Sequence, residues 1–153
     1  MKLVFIPLMA VMRCKVGFMY LPAKPKGIVQ VIHGFGEHSR RYFHMIVKFM
    51  DAGYIVAADD HVGHGKTAMY NDTWGDWGDA GFHTMMEDEH KLKEIVSKMY
   101  PDLPYFMFGH SMGSFITRDL LQNMEKNLQE SQSVVQLVIS VVLQKLNLPY
   151  WLL

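Results

Sequence analysis

Residues 104–116 of the chain read PYFMFGHSMGSFI. The first five residues form an apolar run that is too short for a typical helix and indicates a strand. A Gly-x-Ser-x-Gly motif follows at residues 109–113. Beyond it, apolar residues recur every four positions, as in a helix, at Ile116, Leu120, Met124 and Leu128. The segment therefore predicts a strand that turns sharply into a helix, with Ser111 at the turn.

A steric requirement explains the two glycines of this motif. A strand that turns directly into a helix brings backbone close to the positions two before and two after the serine, so both must be small, as Gly109 and Gly113 are. The turn exposes the Ser111 hydroxyl at the carboxyl end of the strand. The helix N-terminus leaves the Met112 N–H free to meet a developing oxyanion. We therefore interpret the motif as a nucleophile elbow.

Length and composition predict one soluble globular domain. The chain has 153 residues, of which half are apolar and a fifth are charged, enough for a substantial core. Its net charge is zero and its basic residues are scattered, which argues against nucleic acid or an anionic membrane as a partner. No apolar run reaches the roughly 18 residues of a membrane span. A single cysteine, Cys14, excludes an internal disulfide and favours a cytoplasmic location.

Apolar strand-like runs alternate with amphipathic helical patterns along the chain. The strand-like runs occupy residues 28–32, 54–58 and 105–109. This alternation predicts an α/β fold with a doubly wound, mainly parallel sheet, in which ligands bind beyond the carboxyl ends of the strands. His33, Asp60 and Ser111 all lie at such ends.

Local signals predict further details. Gly53 should cap the helix that follows the first of these strands. Residues 67–81, with two tryptophans and three glycines, read as a loop, and a capping box at residues 84–87 should start the next helix. Residues 3–20 read as strand material rather than as a signal peptide, and residues 134–139 as a fourth strand of the parallel sheet.

Four motifs resemble the α/β-hydrolase fold, in the branch of the monoacylglycerol lipases, lysophospholipases and serine aminopeptidase-like proteins. In chain order they are HGFGEH at 33–38, DHVGHG at 60–65, YPDLP at 100–104 and GHSMG at 109–113. The resemblance extends from about residue 26 to about residue 121. Each motif alone is modest, but all four in this order and at these spacings are highly specific.

The resemblance implies a serine hydrolase that cleaves carboxylic esters, such as monoacylglycerols or lysophospholipids, through an acyl-serine intermediate. Ser111 is then the nucleophile, and Phe35 and Met112 donate the N–H groups of the oxyanion hole. The structural positions of the motifs are His33, Gly34, Gly109 and Gly113. The implied partner is a small lipid or ester substrate, with no cofactor.

The chain departs from this family after the serine. Family members carry an aspartate and then a histidine beyond the nucleophile, with a cap inserted between, whereas no histidine follows Ser111 here. We therefore expect residues 1–153 to form one partial domain without the cap and the C-terminal half, ending in a divergent tail at about 131–153. A frameshift, a premature stop or a gene-model error would each produce this pattern. The alternative function is a non-catalytic fold fragment or binding module.

Several side chains favour a structural role over a chemical one. We expect His33 and His38 to shape their loop rather than act as bases. His61 and His64 are spaced like a metal-binding pair, but the surrounding glycines and the lack of a carboxylate or cysteine constellation argue against zinc, so no metal site is predicted. Asp88 reads as a buried hydrogen-bonding acid.

Three further features carry expectations of their own. The His110 side chain should point away from the reacting centre, because successive residues of an elbow face opposite ways. Trp74 and Trp77 either line an acyl site or belong to a loop folded onto the domain. The apolar residues 141–153 should be poorly packed or exposed and should favour self-association.

Overall fold

The computed structural model of the protein describes residues 2–6, 17–22, 24–126 and 138–140. It describes side chains for residues 22, 24–70 and 72–123. The strands are β1 (Lys2–Ile6), β2 (Gly17–Leu21), β3 (Gly27–Ile32), β4 (Tyr54–Asp59), β5 (Tyr105–Gly109) and β6 (Val138–Ser140). The helices are a 3-10 turn (Ser39–Tyr42), α1 (Phe43–Asp51), α2 (Gly65–Asn71), α3 (Phe82–Met99) and α4 (Met112–Lys126).

The described strands form one mixed sheet in the order β1-β2-β4-β3-β5-β6. Strands β4, β3, β5 and β6 are parallel, whereas β1 pairs antiparallel with β2, and β2 pairs antiparallel with β4. In the centre of the sheet, Ile28 lies between Ile55 on one side and Tyr105 on the other. The predicted α/β class with a mainly parallel sheet is confirmed.

Strand β3 is buried on both faces, which explains its nearly continuous apolar sequence. Ile28 and Ile32 pack in one core cluster with side chains of α3 and α4. Val29 and Val31 pack in a second cluster with side chains of α1. Helices therefore cover both faces of the parallel sheet, as the predicted doubly wound architecture requires.

Gly53 ends the first helical region in the way the sequence predicts. Its φ angle is +87°, in the left-handed region that favours glycine. Its N–H donates to the carbonyl of Met50 over 2.8 Å, which satisfies a carbonyl of the last turn of α1.

The prediction of a loop throughout residues 67–81 is wrong at its start, where α2 extends to Asn71. The helix is stabilised by Asp60, which lies before the helix and outside its apolar pattern. Its Oδ2 accepts the Lys66 N–H over 2.8 Å, and its carbonyl accepts the Thr67 hydroxyl over 2.6 Å. These bonds satisfy groups of the first turn, so a short segment becomes helical without a strong local signal.

The predicted capping box at residues 84–87 is also wrong. Helix α3 begins at Phe82, after Gly81 at the N-cap, so Thr84 already lies within the first turn. Gly78 and Gly81 both have positive φ angles, and Phe82 packs against the core cluster of α3 and α4. The turn that glycine allows, together with the packing of the partly buried Phe82, moves the N-cap from Thr84 to Gly81, three residues earlier.

Two predicted strand regions are described in part. Strands β1 and β2 confirm strand structure within residues 3–20, and β6 confirms a further parallel strand at the end of residues 134–139. Residues 7–16, 134–137 and the tail at 141–153 lie outside the described residues. None of the helices in the described part of the chain is long and apolar enough to cross a membrane.

Candidate active site

The sharp turn at Ser111 is present where strand β5 meets helix α4. Ser111 has a φ angle of +51°, a conformation that non-glycine residues rarely adopt and that is concentrated at functional sites. A methyl group on Gly113 would collide with the carbonyl oxygen of Ile32, and one on Gly109 would collide with the carbonyl of Gly113. Both motif glycines therefore allow close backbone approach, and together they hold Ser111 at the end of the strand.

The loop after β3 lies against this turn. A methyl group on Gly34 would be 3.2 Å from Ser111 Cβ and 3.2 Å from the His110 carbonyl oxygen, so the loop backbone and the elbow are in contact. Met112 is the first residue of α4, and its N–H has no acceptor one turn earlier in the helix. Phe35, the other predicted donor, follows Gly34 in the same loop. The oxyanion-hole roles of Phe35 and Met112 stay predictions.

The Glu37 carboxylate holds the loop after β3 in place. Its carboxylate accepts hydrogen bonds from the Gly34 N–H over 3.1 Å and from the Tyr42 hydroxyl over 2.5 Å. Arg41 forms an ion pair with it at 3.2 Å, and His110 Nδ1 lies 3.4 Å away. Although burial alone would raise the pKa of Glu37, the bonds from Tyr42 and Gly34 lower that pKa below its ordinary value of 4.5.

Glu37 should make the stability of the fold depend on pH. Because its pKa is lower in the folded chain, its contribution is complete above about pH 4.5 and is lost as pH falls through the lower folded value. We expect Glu37→Gln to cost about 1–2 kcal/mol of unfolding free energy at pH 7 and progressively less below pH 4.5. Urea unfolding of both proteins from pH 3 to 7 measures this difference.

The exposed Glu87→Gln is the matched control and should leave the pH profile unchanged. A difference between Glu37→Gln and the parent chain that stays constant from pH 7 to pH 3 would contradict this role of Glu37.

His33 is fully buried at the start of the same loop, with both ring nitrogens engaged. Nδ1 donates to the Gly34 carbonyl over 2.8 Å, and Nε2 accepts the His61 backbone N–H over 3.0 Å. Burial lowers the pKa of His33 well below its ordinary value, which keeps the ring neutral. This geometry supports the structural role predicted for His33. His38, by contrast, is exposed.

Asp60 also has a structural role. Oδ1 accepts both the backbone N–H of Ser39 and its hydroxyl, over 2.8 and 2.6 Å, and Oδ2 accepts the Lys66 N–H. Arg40 approaches Oδ2 at 3.8 Å. This buried carboxylate therefore joins the two segments that follow β3 and β4.

Carboxylates do surround His61, contrary to the prediction from the sequence. Two carboxylates lie beside the ring: His61 Nδ1 is 3.5 Å from Asp59 Oδ1 and 3.3 Å from Glu89 Oε1. His64 does not join them, since its Nδ1 contacts the Val62 carbonyl at 2.9 Å and its ring stacks on Trp77.

Glu89 is the residue that the sequence analysis missed. Asp88 is buried as predicted, but Glu89 is completely buried next to it. Burial first, and then the charge of Asp59, raise the pKa of Glu89 well above its ordinary value. Glu89 lies four residues after Met85 and three before Leu92, which places it on the apolar face of α3. This spacing is the sequence signal that could have predicted its burial.

Aromatic side chains border the loop of Phe35. The exposed ring of Phe35 lies 5.8 Å from that of Trp77 and 5.9 Å from that of His64. Trp74 is 62% exposed. Trp77 is partly buried, packs against the core cluster of α3 and α4, and places its ring beside that of Phe35.

Comparisons with known proteins agree with this architecture. The chain is 39% identical over 92 residues to the monoglyceride lipase of Homo sapiens, an alignment that covers 60% of the chain and 29% of that protein. It is 37% identical over 92 residues to the monoacylglycerol lipase of Mycolicibacterium smegmatis, covering 60% of the chain and 31% of that protein. The chain thus spans about three-tenths of the length of these curated relatives.

A solved structure covers more of the chain. A highly thermostable carboxyl esterase from Bacillus coagulans, in complex with glycerol, aligns with a TM-score of 0.76 and 52% identity, over 90% of this chain and 44% of that one. The family model described as Serine aminopeptidase, S33 matches residues 23–141, well over half of the chain. On its fold, its elbow and this match, the chain belongs to the serine aminopeptidase S33 family, within the α/β-hydrolases.

Proposed function

We propose that this chain carries the nucleophile and the oxyanion hole of a serine hydrolase that cleaves monoacylglycerols, lysophospholipids or similar carboxylic esters. The observation that carries the proposal is Ser111, held at a φ angle of +51° between β5 and α4 with the Gly34 backbone against it. A strained serine at a strand-to-helix turn is the geometry of a nucleophile elbow.

In the proposed reaction, Ser111 Oγ attacks the ester carbonyl carbon and gives its proton to a general base. The carbonyl π electrons move onto oxygen, and the N–H groups of Phe35 and Met112 stabilise this oxyanion. Collapse of the tetrahedral intermediate breaks the bond to the alcohol, which leaves with the proton. Water then hydrolyses acyl-Ser111 by the same steps and releases the carboxylic acid.

The general base is the part that this chain does not provide after its serine. No histidine follows Ser111, and His33 has both nitrogens occupied and a lowered pKa. Without a base, an alcohol is a weak nucleophile, and only the residual rate from the oxyanion hole and binding is left. We propose that residues 1–153 act as one partial domain whose turnover is strongly impaired.

The substrate class rests on the relatives and on one surface. The human and mycobacterial relatives are a monoglyceride lipase and a monoacylglycerol lipase, and the Bacillus coagulans relative is a carboxyl esterase. Phe35 is 64% exposed and contacts Trp77, which gives the elbow an apolar neighbour suited to an acyl chain.

A fluorophosphonate probe tests the identity of the nucleophile. The probe needs a complete triad, so residues 1–126 should replace the corresponding part of the Bacillus coagulans esterase to give a chimera. We expect mass spectrometry to find the phosphonate on Ser111, and Ser111→Ala to remove it. Ser114→Ala, three residues further along α4, should keep the label.

A folded chimera that remains unlabelled would contradict the proposal. Such a result would favour the alternative function, a binding module that keeps the ligand-facing loops without acyl transfer.

A further inference from the structure

Asp59, His61 and Glu89 bring two carboxylates and one imidazole together in the protein interior. All three side chains are fully buried, and their ligand atoms lie within 4.8 Å of one another. Among the described residues, no hydrogen bond is made by either oxygen of Asp59, by His61 Nδ1 or by Glu89 Oε1. Buried polar atoms normally have partners, so this group of unpartnered atoms, in which one atom from each residue lies within 4.8 Å of the others, indicates a missing positive charge.

We propose that Asp59, His61 and Glu89 form a binding site for a divalent metal ion, with Zn²⁺ as the ion that fits best. Zinc binds imidazole nitrogen at about 2.0–2.1 Å and carboxylate oxygen at about 2.0–2.2 Å. In a tetrahedral arrangement these bond lengths separate neighbouring ligand atoms by about 3.3–3.5 Å. The distances from His61 Nδ1 to Glu89 Oε1 and Asp59 Oδ1, 3.3 and 3.5 Å, match this spacing.

The tautomer of His61 suits a metal ligand. Its Nε2 contacts the His33 carbonyl oxygen at 3.2 Å, and because a carbonyl only accepts, Nε2 carries the hydrogen. Nδ1 therefore directs a lone pair toward the two carboxylates. Histidines that bind metals characteristically donate their second N–H to a carbonyl or carboxylate in this way.

Glu89 is also held in place from outside the cluster. Its Oε2 accepts a hydrogen bond from Gln30 Nε2, which leaves Oε1 for the ion. Gln30 Oε1 in turn accepts the Tyr105 hydroxyl over 2.6 Å. This chain of bonds explains a glutamine in the middle of the buried strand β3, since it orients a ligand from α3.

Charge favours a divalent ion over a monovalent one. Metal binding requires both carboxyls to be ionised, and in that state two carboxylates and a neutral imidazole sum to two negative charges, which one divalent ion balances in the protein interior. Mixed nitrogen and oxygen ligands suit zinc and its neighbours among the transition metals better than the all-oxygen sites of Ca²⁺ or Mg²⁺. The bound ion would join the end of β4 to α3 and, through His61, to the carbonyl of His33.

Metal content after refolding tests the site directly and does not depend on ester hydrolysis. Because the ligands are buried, the full chain should be unfolded in guanidinium chloride with a chelator, then refolded with or without Zn²⁺ and desalted. We expect about one Zn²⁺ per chain by mass spectrometry of the metal. At free Zn²⁺ about 100-fold above its Kd, the melting temperature should rise by about 5–10 °C.

Three variants locate the ion. Glu89→Gln and Asp59→Asn keep the side-chain shape but remove a ligand charge, and should weaken zinc binding at least about 100-fold. His90→Gln is the matched control, because His90 is the next residue of α3 but lines a surface groove with Glu87 and Asp119. It should bind zinc as the parent chain does.

Co²⁺ in place of Zn²⁺ gives a second readout on the parent chain, which stays informative even where a variant fails to fold. We expect the visible absorption of tetrahedral cobalt with nitrogen and oxygen ligands. The proposal is overturned by a parent chain that folds in the presence of Zn²⁺ but carries none after desalting. Full zinc retention in folded Glu89→Gln and Asp59→Asn, or loss of zinc in His90→Gln, would also overturn it. The first result would assign a shared proton to the cluster, and the others would assign surface binding.

Discussion

The chimera that joins residues 1–126 to the remainder of the Bacillus coagulans esterase should hydrolyse a short-chain ester at least about 10³-fold faster than the 153-residue chain. The reason is that members of a catalytic triad act as a unit, so a serine without its base retains only a small residual rate. Turnover of p-nitrophenyl butyrate by both proteins, at equal concentration and pH, measures the ratio.

Two comparisons make this result specific to Ser111. Ser111→Ala in the chimera should return its rate to about that of the chain alone, whereas Ser114→Ala should leave most of the activity. A 153-residue chain that matches the chimera in rate, and loses that rate with Ser111→Ala, would refute the proposed impairment. The general base would then have to be sought in His38 or His64 or in a second copy of the chain, since both ring nitrogens of His33 are occupied.

The second large effect concerns the fold. Gly113→Ala should cost about 3 kcal/mol of unfolding free energy or prevent folding, because overpacking at an immobile site is destabilising. The added methyl group would overlap the carbonyl of Ile32 and lie 2.7 Å from that of His33. Both carbonyls belong to the backbone where central strand β3 ends, so neither can move aside as a flexible side chain could. Urea unfolding of the two proteins measures the loss.

Gly75→Ala is the matched control for this prediction. Gly75 has a φ angle of +72° but open space around its Cα, so alanine there should cost only about 1 kcal/mol from backbone strain. Gly113 does not have a positive φ angle, so its cost arises from contact alone. A Gly113→Ala protein within 1 kcal/mol of the parent chain would contradict the close approach of β3 and α4.

The two failed predictions of local structure share a cause. The segment at 65–71 is helical because the Asp60 side chain accepts the Lys66 N–H, and α3 starts at Phe82 because Gly81 allows the turn and the partly buried Phe82 ring packs against the core. In both places a specific hydrogen bond or packing contact outweighs the helix propensity of the segment, since propensities of a few tenths of a kcal/mol per residue are easily overridden.

The amino-acid sequence by itself determined the parallel strands, the helices on both faces and the turn at Ser111. Each of these follows from neighbours along the chain: β-branched runs, apolar residues at helical spacing, and glycines two positions either side of a serine. Only the tertiary structure decided that Asp59, His61 and Glu89 meet. Periodicity places Glu89 on the buried face of a helix, but it does not predict that Glu89 contacts His61, 28 residues earlier in the chain. The contact of Glu89 with Asp59 and His61 depends on how α3 packs across the sheet.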